Sequence, residues 1–187
     1  ILTILAIFMI GLELGKINGE KNLFPGLLAV ICFISVTPTT IELMVNGEMQ
    51  KVTDVLARQF TDTKSLFLGI FVSILSVELY SKLGKSDRLK IKMPESVPSN
   101  VAVSFSALIP TIITVTVFST FGVLFHKFTG LYLYDAVYNV VQKPLETVVQ
   151  GLPGILVLML VAQVFWVIGI HGNQMVKPIR EPLLLGA

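Results

Sequence analysis

The chain has 187 residues, of which 53% are apolar and only 14% charged, with a formal net charge of +2 and a mean hydropathy of +0.81. That balance lies on the membrane side of soluble composition. The lone cysteine, Cys32, excludes an intrachain disulfide and a thiolate metal cluster, and the small net charge singles out no class of partner.

The apolar residues gather in five uncharged stretches, 1–12, 22–41, 65–77, 96–125 and 148–175, the last with only His171 titratable. A helix needs roughly 18 to 20 apolar residues to cross a bilayer's hydrocarbon. Charge sits in the breaks between stretches, whereas a soluble helix carries it along one face. The expected fold is all-α: a polytopic transmembrane helical protein in a lipid bilayer, with interfacial amphipathic helices and a broken or re-entrant segment.

The first stretch has no basic region before it and no small-residue cleavage site after it, so it does not read as a signal peptide. It reads as the tail of a longer helix, and the chain as a piece of a larger protein. A charged end at Glu13 and Lys16 and a polar turn over 17–21 follow. The second helix has Pro25 in its first turn, where the missing N–H costs nothing, and ends near Pro38; Cys32 within it is expected to be an inert core thiol. A third helix is expected over 65–83 and a fourth over 108–125. Before the fourth, Val97, Val101, Phe105 and Leu108 make the apolar edge of a short in-plane helix that Ser96 caps and Pro98 starts.

Between residues 131 and 149 the polar residues Asp135, Asn139, Gln142 and Glu146 recur at spacings of four, three and four. They form one helical stripe, with Leu133, Val137, Val140, Val141 and Val148 opposite. This piece is expected to lie along the membrane interface, with Tyr132, Tyr134 and Tyr138 at headgroup depth and a kink at Pro144. The fifth apolar helix, 151–170, opens with Gly-Leu-Pro-Gly and closes at Gly169.

Lys82, Lys85, Arg88, Lys90 and Lys92 are the densest basic cluster, so their loop is expected in the cytoplasm. Strict alternation then gives nine basic residues inside, including Lys16, Lys21, Lys177 and Arg180, against five outside. Glu78, one turn before Lys82, suits an i,i+4 ion pair. His126 and Lys127 end the fourth helix, where long side chains reach outward.

Trp166 sits within the fifth helix, either as packing or as a ring able to stack on a sugar face. His171 follows that helix directly, between Gly169 and Gly172 and before Asn173 and Gln174. Broken helix at membrane depth is tolerated only where it is buried in protein or lines a cavity, and transporters build substrate sites there. His171 is the leading site candidate; the plainer reading is a histidine closing a helix end near the interface.

The run from Lys92 through Pro94, Glu95, Pro98 and Asn100 to Pro110 resembles the cytoplasmic-loop signature of the membrane IIC component of the bacterial phosphoenolpyruvate-dependent sugar phosphotransferase system, in its lactose, cellobiose and diacetylchitobiose branch. The run from Gly151 through Pro153, Gly154 and Trp166 to Gly172 is similar to that family's second signature, and Thr37-Pro38 and the stretch around Glu78 also fit. The resemblance covers essentially all 187 residues. It implies a homodimeric, multi-pass transporter in the bacterial cell membrane that moves a disaccharide inward, one rigid bundle moving against another. Its partners would be the cytoplasmic IIB and IIA components, with the phosphoryl group carried on a IIB cysteine and no phosphoryl-carrying residue in this chain. By carry-over His171 would bond the sugar hydroxyl and orient it, with Trp166, Asn173 and Gln163 as further pocket wall. Neither metal, cofactor nor nucleic acid is implied.

Family members are about twice this length, and their later half contributes a carboxylate facing the histidine; Glu181 does not match it. The resemblance thus implies a partial IIC domain, with 1–95 as scaffold and dimerisation helices and 96–187 as the start of the transport bundle. Two other readings compete: a non-transporting membrane scaffold that dimerises through its first helices, and an unrelated secondary transporter. The sidedness is testable with Cys32 replaced. A cysteine at Arg88 should react with membrane-impermeant maleimide only after cells are opened, and one at Asp54 in intact cells; labelling of Arg88→Cys from outside overturns the orientation.

Overall fold

A computed structural model describes all residues except 1, 21, 46–47, 90, 92–93, 95–96, 170, 174–175, 178–179 and 181–187. In chain order come α1 (Leu2–Ile17), α2 (Phe24–Val36), strands β1 (Ile41–Val45) and β2 (Glu48–Val52), two 3-10 turns (Arg58–Phe60 and Thr63–Ser65), α3 (Leu66–Gly84) and α4 (Ser99–Thr129). Then follow α5 (Leu133–Val137), a π turn (Tyr138–Gln142), α6 (Lys143–Gln150) and α7 (Leu152–Val167). Helices α1, α2 and α3 pack on one another, and α4 covers α2 and α3.

Small residues set how closely the first three helices approach. A Cβ on Gly15 would stand 2.5 Å from Pro25 Cγ, one on Gly26 2.8 Å from the Phe8 carbonyl, and one on Gly69 2.7 Å from Ile7 Cδ1. Such contacts let helices gain van der Waals packing where lipid is as apolar as leucine. The approach brings the Ser73 hydroxyl to the Ile7 carbonyl at 3.1 Å, and Cys32 is fully buried as expected.

Polar side chains tie the two ends of this bundle. At one end the Thr3 backbone N–H donates to the Thr61 carbonyl at 3.3 Å and its hydroxyl to Asp62 O. At the other, the Asn18 amide donates to Glu78 Oε1 at 3.1 Å and to Ser81 Oγ at 3.3 Å. Glu78 is thus held by Asn18 rather than by the expected i,i+4 pairing with Lys82. The same bonds place the turn after α1 beside the end of α3, so Lys16 and Lys82 share one end of the bundle.

Two expectations need correction. The short helix before Pro110 is not separate: α4 runs 31 residues from Pro98 as N-cap to Gly130, whose φ of +72° ends it. At 1.5 Å per residue it is about 46 Å long, more than the hydrocarbon requires. Pro110 interrupts one backbone bond without ending the helix, because it is buried against the bundle and neighbouring helices hold such a residue in line. The expected cap Ser96 lies outside the described residues. The polar stripe after α4 is split: Asn139 stays exposed, but its second half turns inward. Gln142 and Glu146 are buried, at 1% and 6% exposure, while Val140 and Val148 are 74% and 68% exposed. In an apolar surrounding the valines are the residues that can face out.

The hairpin β1–β2 pairs Ile41 with Val52 and Val45 with Glu48 in antiparallel register. It was not foreseen among the helices. Among the described residues, two helices are long and apolar enough to cross a bilayer by length and composition, α3 and Val101–Thr129 of α4. The pair Leu133–Gln150 and Leu152–Val167 passes that test only jointly, bent by 85°. The bend falls at Gly151; at Pro144 the chain stays helical, in the first turn of α6 just after the π turn.

Gly26→Ala should destabilise the folded chain by about 1 to 3 kcal/mol, since backbone rather than a flexible side chain opposes the new methyl. Gly84→Ala, where the nearest atom would be 3.8 Å away, should change little; thermal unfolding in detergent measures both.

Candidate functional site

α7 begins at Gly151, whose extended backbone (φ −69°, ψ 152°) turns the chain away from α6, with Pro153 in the first turn. It is apolar nearly all round, and of its residues only Ala162 is buried. It ends where Gly169 adopts φ +83°, its N–H donating to the Trp166 carbonyl at 3.0 Å. A left-handed glycine after the last turn reverses the chain at little steric cost. His171 follows at once.

The reversed chain returns along α7. A Cβ on Gly172 would stand 1.8 Å from the Ala162 carbonyl oxygen, so the two backbones touch and position 172 has room for hydrogen alone. Further along, Asn173, Val176 and Arg180 share a cavity of about 70 Å³ with Ile155, Leu158, Met159 and Ala162. The described residues 172–173, 176–177 and 180 are helical. Beyond Gly169 the chain thus turns back against α7, a reversal at the break expected from the sequence.

Trp166 and His171 meet at the tip of this reversal, with ring centroids 4.4 Å apart and planes at 49°. Both remain accessible, Trp166 at 47% exposure. The pair offers an apolar indole face next to an imidazole that can donate and accept hydrogen bonds, which is what a sugar ring with its hydroxyl edge demands. Asn173 is exposed but also lines that cavity. Gln163 is exposed one turn before Trp166, and nothing draws it to the other three. The 70 Å³ cavity is too small for a disaccharide, since pockets for small molecules run to roughly 300 to 1,000 Å³. The accessible tip is the candidate surface.

The other histidine is engaged differently. His126 lies in the last turn of α4, stacked on Tyr132 at 4.1 Å and 6°, in keeping with a structural role. Among the described residues, no group of three or more His, Cys, Asp or Glu is placed to hold a metal ion. Sequence reasoning missed the buried cluster in which Gln142 Nε2 donates to Glu146 Oε1 at 2.7 Å and the Tyr138 hydroxyl to Glu146 Oε2 at 3.2 Å. The four-residue spacing is visible in the sequence, but it does not tell whether the shared face meets water or protein.

Trp166 is the single tryptophan of the sequence. His171→Ala should uncover one edge of its ring and shift its emission in detergent, and His126→Ala should leave the spectrum unchanged. Identical spectra for His171→Ala and the parent would contradict the ring contact.

Comparison with known proteins places this geometry. Residues 1–184 match the family model for the phosphotransferase system, EIIC. The chain is 32% identical over 183 residues to the oligo-beta-mannoside-specific EIIC component of Bacillus subtilis (strain 168), covering 98% of this chain and 40% of that protein. It is 32% identical over 120 residues to the cellobiose-specific EIIC component of Lactococcus lactis subsp. lactis, covering 64% and 24%. Its fold matches the crystal structure of the transporter ChbC, the IIC component of the N,N'-diacetylchitobiose-specific phosphotransferase system, with a TM-score of 0.85, 31% identity, and coverage of 100% of this chain and 43% of that one. The chain thus spans about two-fifths of the length of relatives that it matches from end to end.

Proposed function

This chain belongs to the EIIC family of the phosphotransferase system, and we propose that it forms part of a multi-pass bacterial membrane permease that passes a β-linked disaccharide inward for phosphorylation. The observation that carries the reading is the Trp166–His171 pair, accessible at the tip of a broken apolar helix. His171 would hydrogen-bond and orient the sugar hydroxyl that receives the phosphoryl group, Trp166 would cover an apolar face of the ring, and Asn173 and Gln163 would complete the wall. The relatives named above are described as specific for oligo-beta-mannosides, cellobiose or N,N'-diacetylchitobiose, which supports a β-linked saccharide as cargo.

On this reading the cytoplasmic partners are IIB and IIA, and the permease works as a homodimer. We assign 1–95 to the scaffold and dimerisation part and 96–187 to the start of the transport part, whose first helix, α4, packs on α2 and α3. α7, by contrast, leans on α6, as a moving element would.

In the full-length protein His171→Ala should weaken disaccharide binding by roughly one to two decades, the effect of losing one hydrogen-bonding partner once the bound sugar covers the tip. His126→Ala should do little. Titration calorimetry against cellobiose and diacetylchitobiose measures both, and equal losses from the two variants would trace the effect to folding and remove His171 from the site.

A further inference from the structure

We propose that Tyr138, Gln142 and Glu146 form a clasp that maintains the π turn and thereby fixes the angle at which α7, with Trp166 and His171, stands from the bundle. Glu146 is then a positioning residue, a role that rests on the transport reading above.

The geometry of the turn and the bonds of the clasp depend on each other. On a regular helix of 3.6 residues per turn, positions eight apart are offset by about 80°, so Tyr138 would sit at the far edge of the face that carries Glu146. The residue taken up by the π turn rewinds that offset, with the Lys143 N–H bonded to the Tyr138 carbonyl. Only then do the Tyr138 hydroxyl and the Gln142 amide both reach the Glu146 carboxylate, at 3.2 and 2.7 Å. The carboxylate is buried, where an unbonded charge is costly. Pro144 has no N–H to give the Val140 carbonyl, so a regular α turn would gain less here than elsewhere.

The clasp also joins two parts with different anchorage. Upstream, α5 packs on α3 and α4, and the π turn on α3 and the second 3-10 turn. The Phe60 ring meets Tyr134 edge-on at 4.9 Å, and Tyr134 stacks beside Tyr138 at 6.2 Å. Downstream, the main contacts of α6 are with the π turn and α7. Opening the clasp and tightening the turn would rotate α6 about its axis. Because α7 is set at 85° to that axis, the rotation would sweep the Trp166–His171 tip through an arc, as in hinge motions whose small local change moves a rigid arm.

The test uses the full-length protein with spin labels at Ile74 on α3 and Leu160 on α7, both exposed, and pulsed distance measurement. Tyr138→Phe removes only the hydroxyl. A hydrogen bond to a carboxylate shifts a two-state population by roughly one to two decades, so the variant should add a second distance or broaden the first. Glu146→Ala should do the same more strongly and Glu146→Gln less, because an amide oxygen still accepts from Tyr138. Thr147→Val, which removes an exposed hydroxyl bonded to the Lys143 carbonyl, should change nothing. Disaccharide affinity should stay within about twofold in Tyr138→Phe while the maximal transport rate falls, a split that a general folding defect does not give. Unaltered distances in both Tyr138→Phe and Glu146→Ala overturn the clasp, whatever the sugar data; if Glu146→Ala does not fold, Tyr138→Phe decides alone. Altered distances in a protein that binds no disaccharide would instead strike the transport reading and leave the clasp standing.

Discussion

Hydrocarbon offers no hydrogen-bond partners, and that requirement decides where polar groups within the membrane helices of this chain can sit. Within the helices the hydroxyls fold back on their own backbone: Thr37 on the Phe33 carbonyl at 2.7 Å, Ser106 on Ala102 at 2.9 Å and Thr114 on Pro110 at 2.8 Å. Between helices they act as fasteners, as Ser73 does on Ile7. At the ends, Thr3 bonds the loop carbonyls of Thr61 and Asp62, and Asn18 ties the turn after α1 to the Glu78 and Ser81 side chains of α3. The same requirement explains why Glu146 turns inward to Tyr138 and Gln142 while neighbouring valines face out.

Close approach makes this internal bonding possible. Gly69 lets α3 settle against Ile7, and one helical turn later Ser73 comes within reach of the Ile7 carbonyl. Interhelical bonds of this kind average about 0.6 kcal/mol in membrane proteins, so the fastener matters less for its energy than for the register it fixes. Register at the bundle then propagates to α5 and the π turn, and from there to the aromatic pair at the reversal after α7.

Much of this was legible in the residues. Runs of uncharged residues gave α1 to α4 and α7, Pro25 marked the start of α2, and the Gly169 to Gly172 stretch marked the break that carries His171. The direction of the polar stripe over 135–146 was not legible. Periodicity reports that polar residues share a face; whether that face meets water or protein depends on the solvent around the helix and on residues such as Phe60, far away in sequence. The hairpin had a local signal, Asn46-Gly47 between residues of strand propensity, which the surrounding apolar stretches overshadowed. The continuity of α4 through Pro110 rests on tertiary burial, which a local breaker rule does not see. The pairing of Trp166 with His171 needs the left-handed turn at Gly169, and the spacing of five alone does not specify it.

The near-complete exposure of α7 has a consequence for biosynthesis. α1 to α4 emerge from the ribosome first and find their partners among themselves, so their assembly does not wait for α7. When α7 follows, it carries an apolar surface that the described residues leave largely uncovered, and until later partners arrive acyl chains are its solvent. Local closure fits this order: the contact of Gly172 with Ala162 closes a loop of about ten residues, an event of roughly 10 to 100 ns.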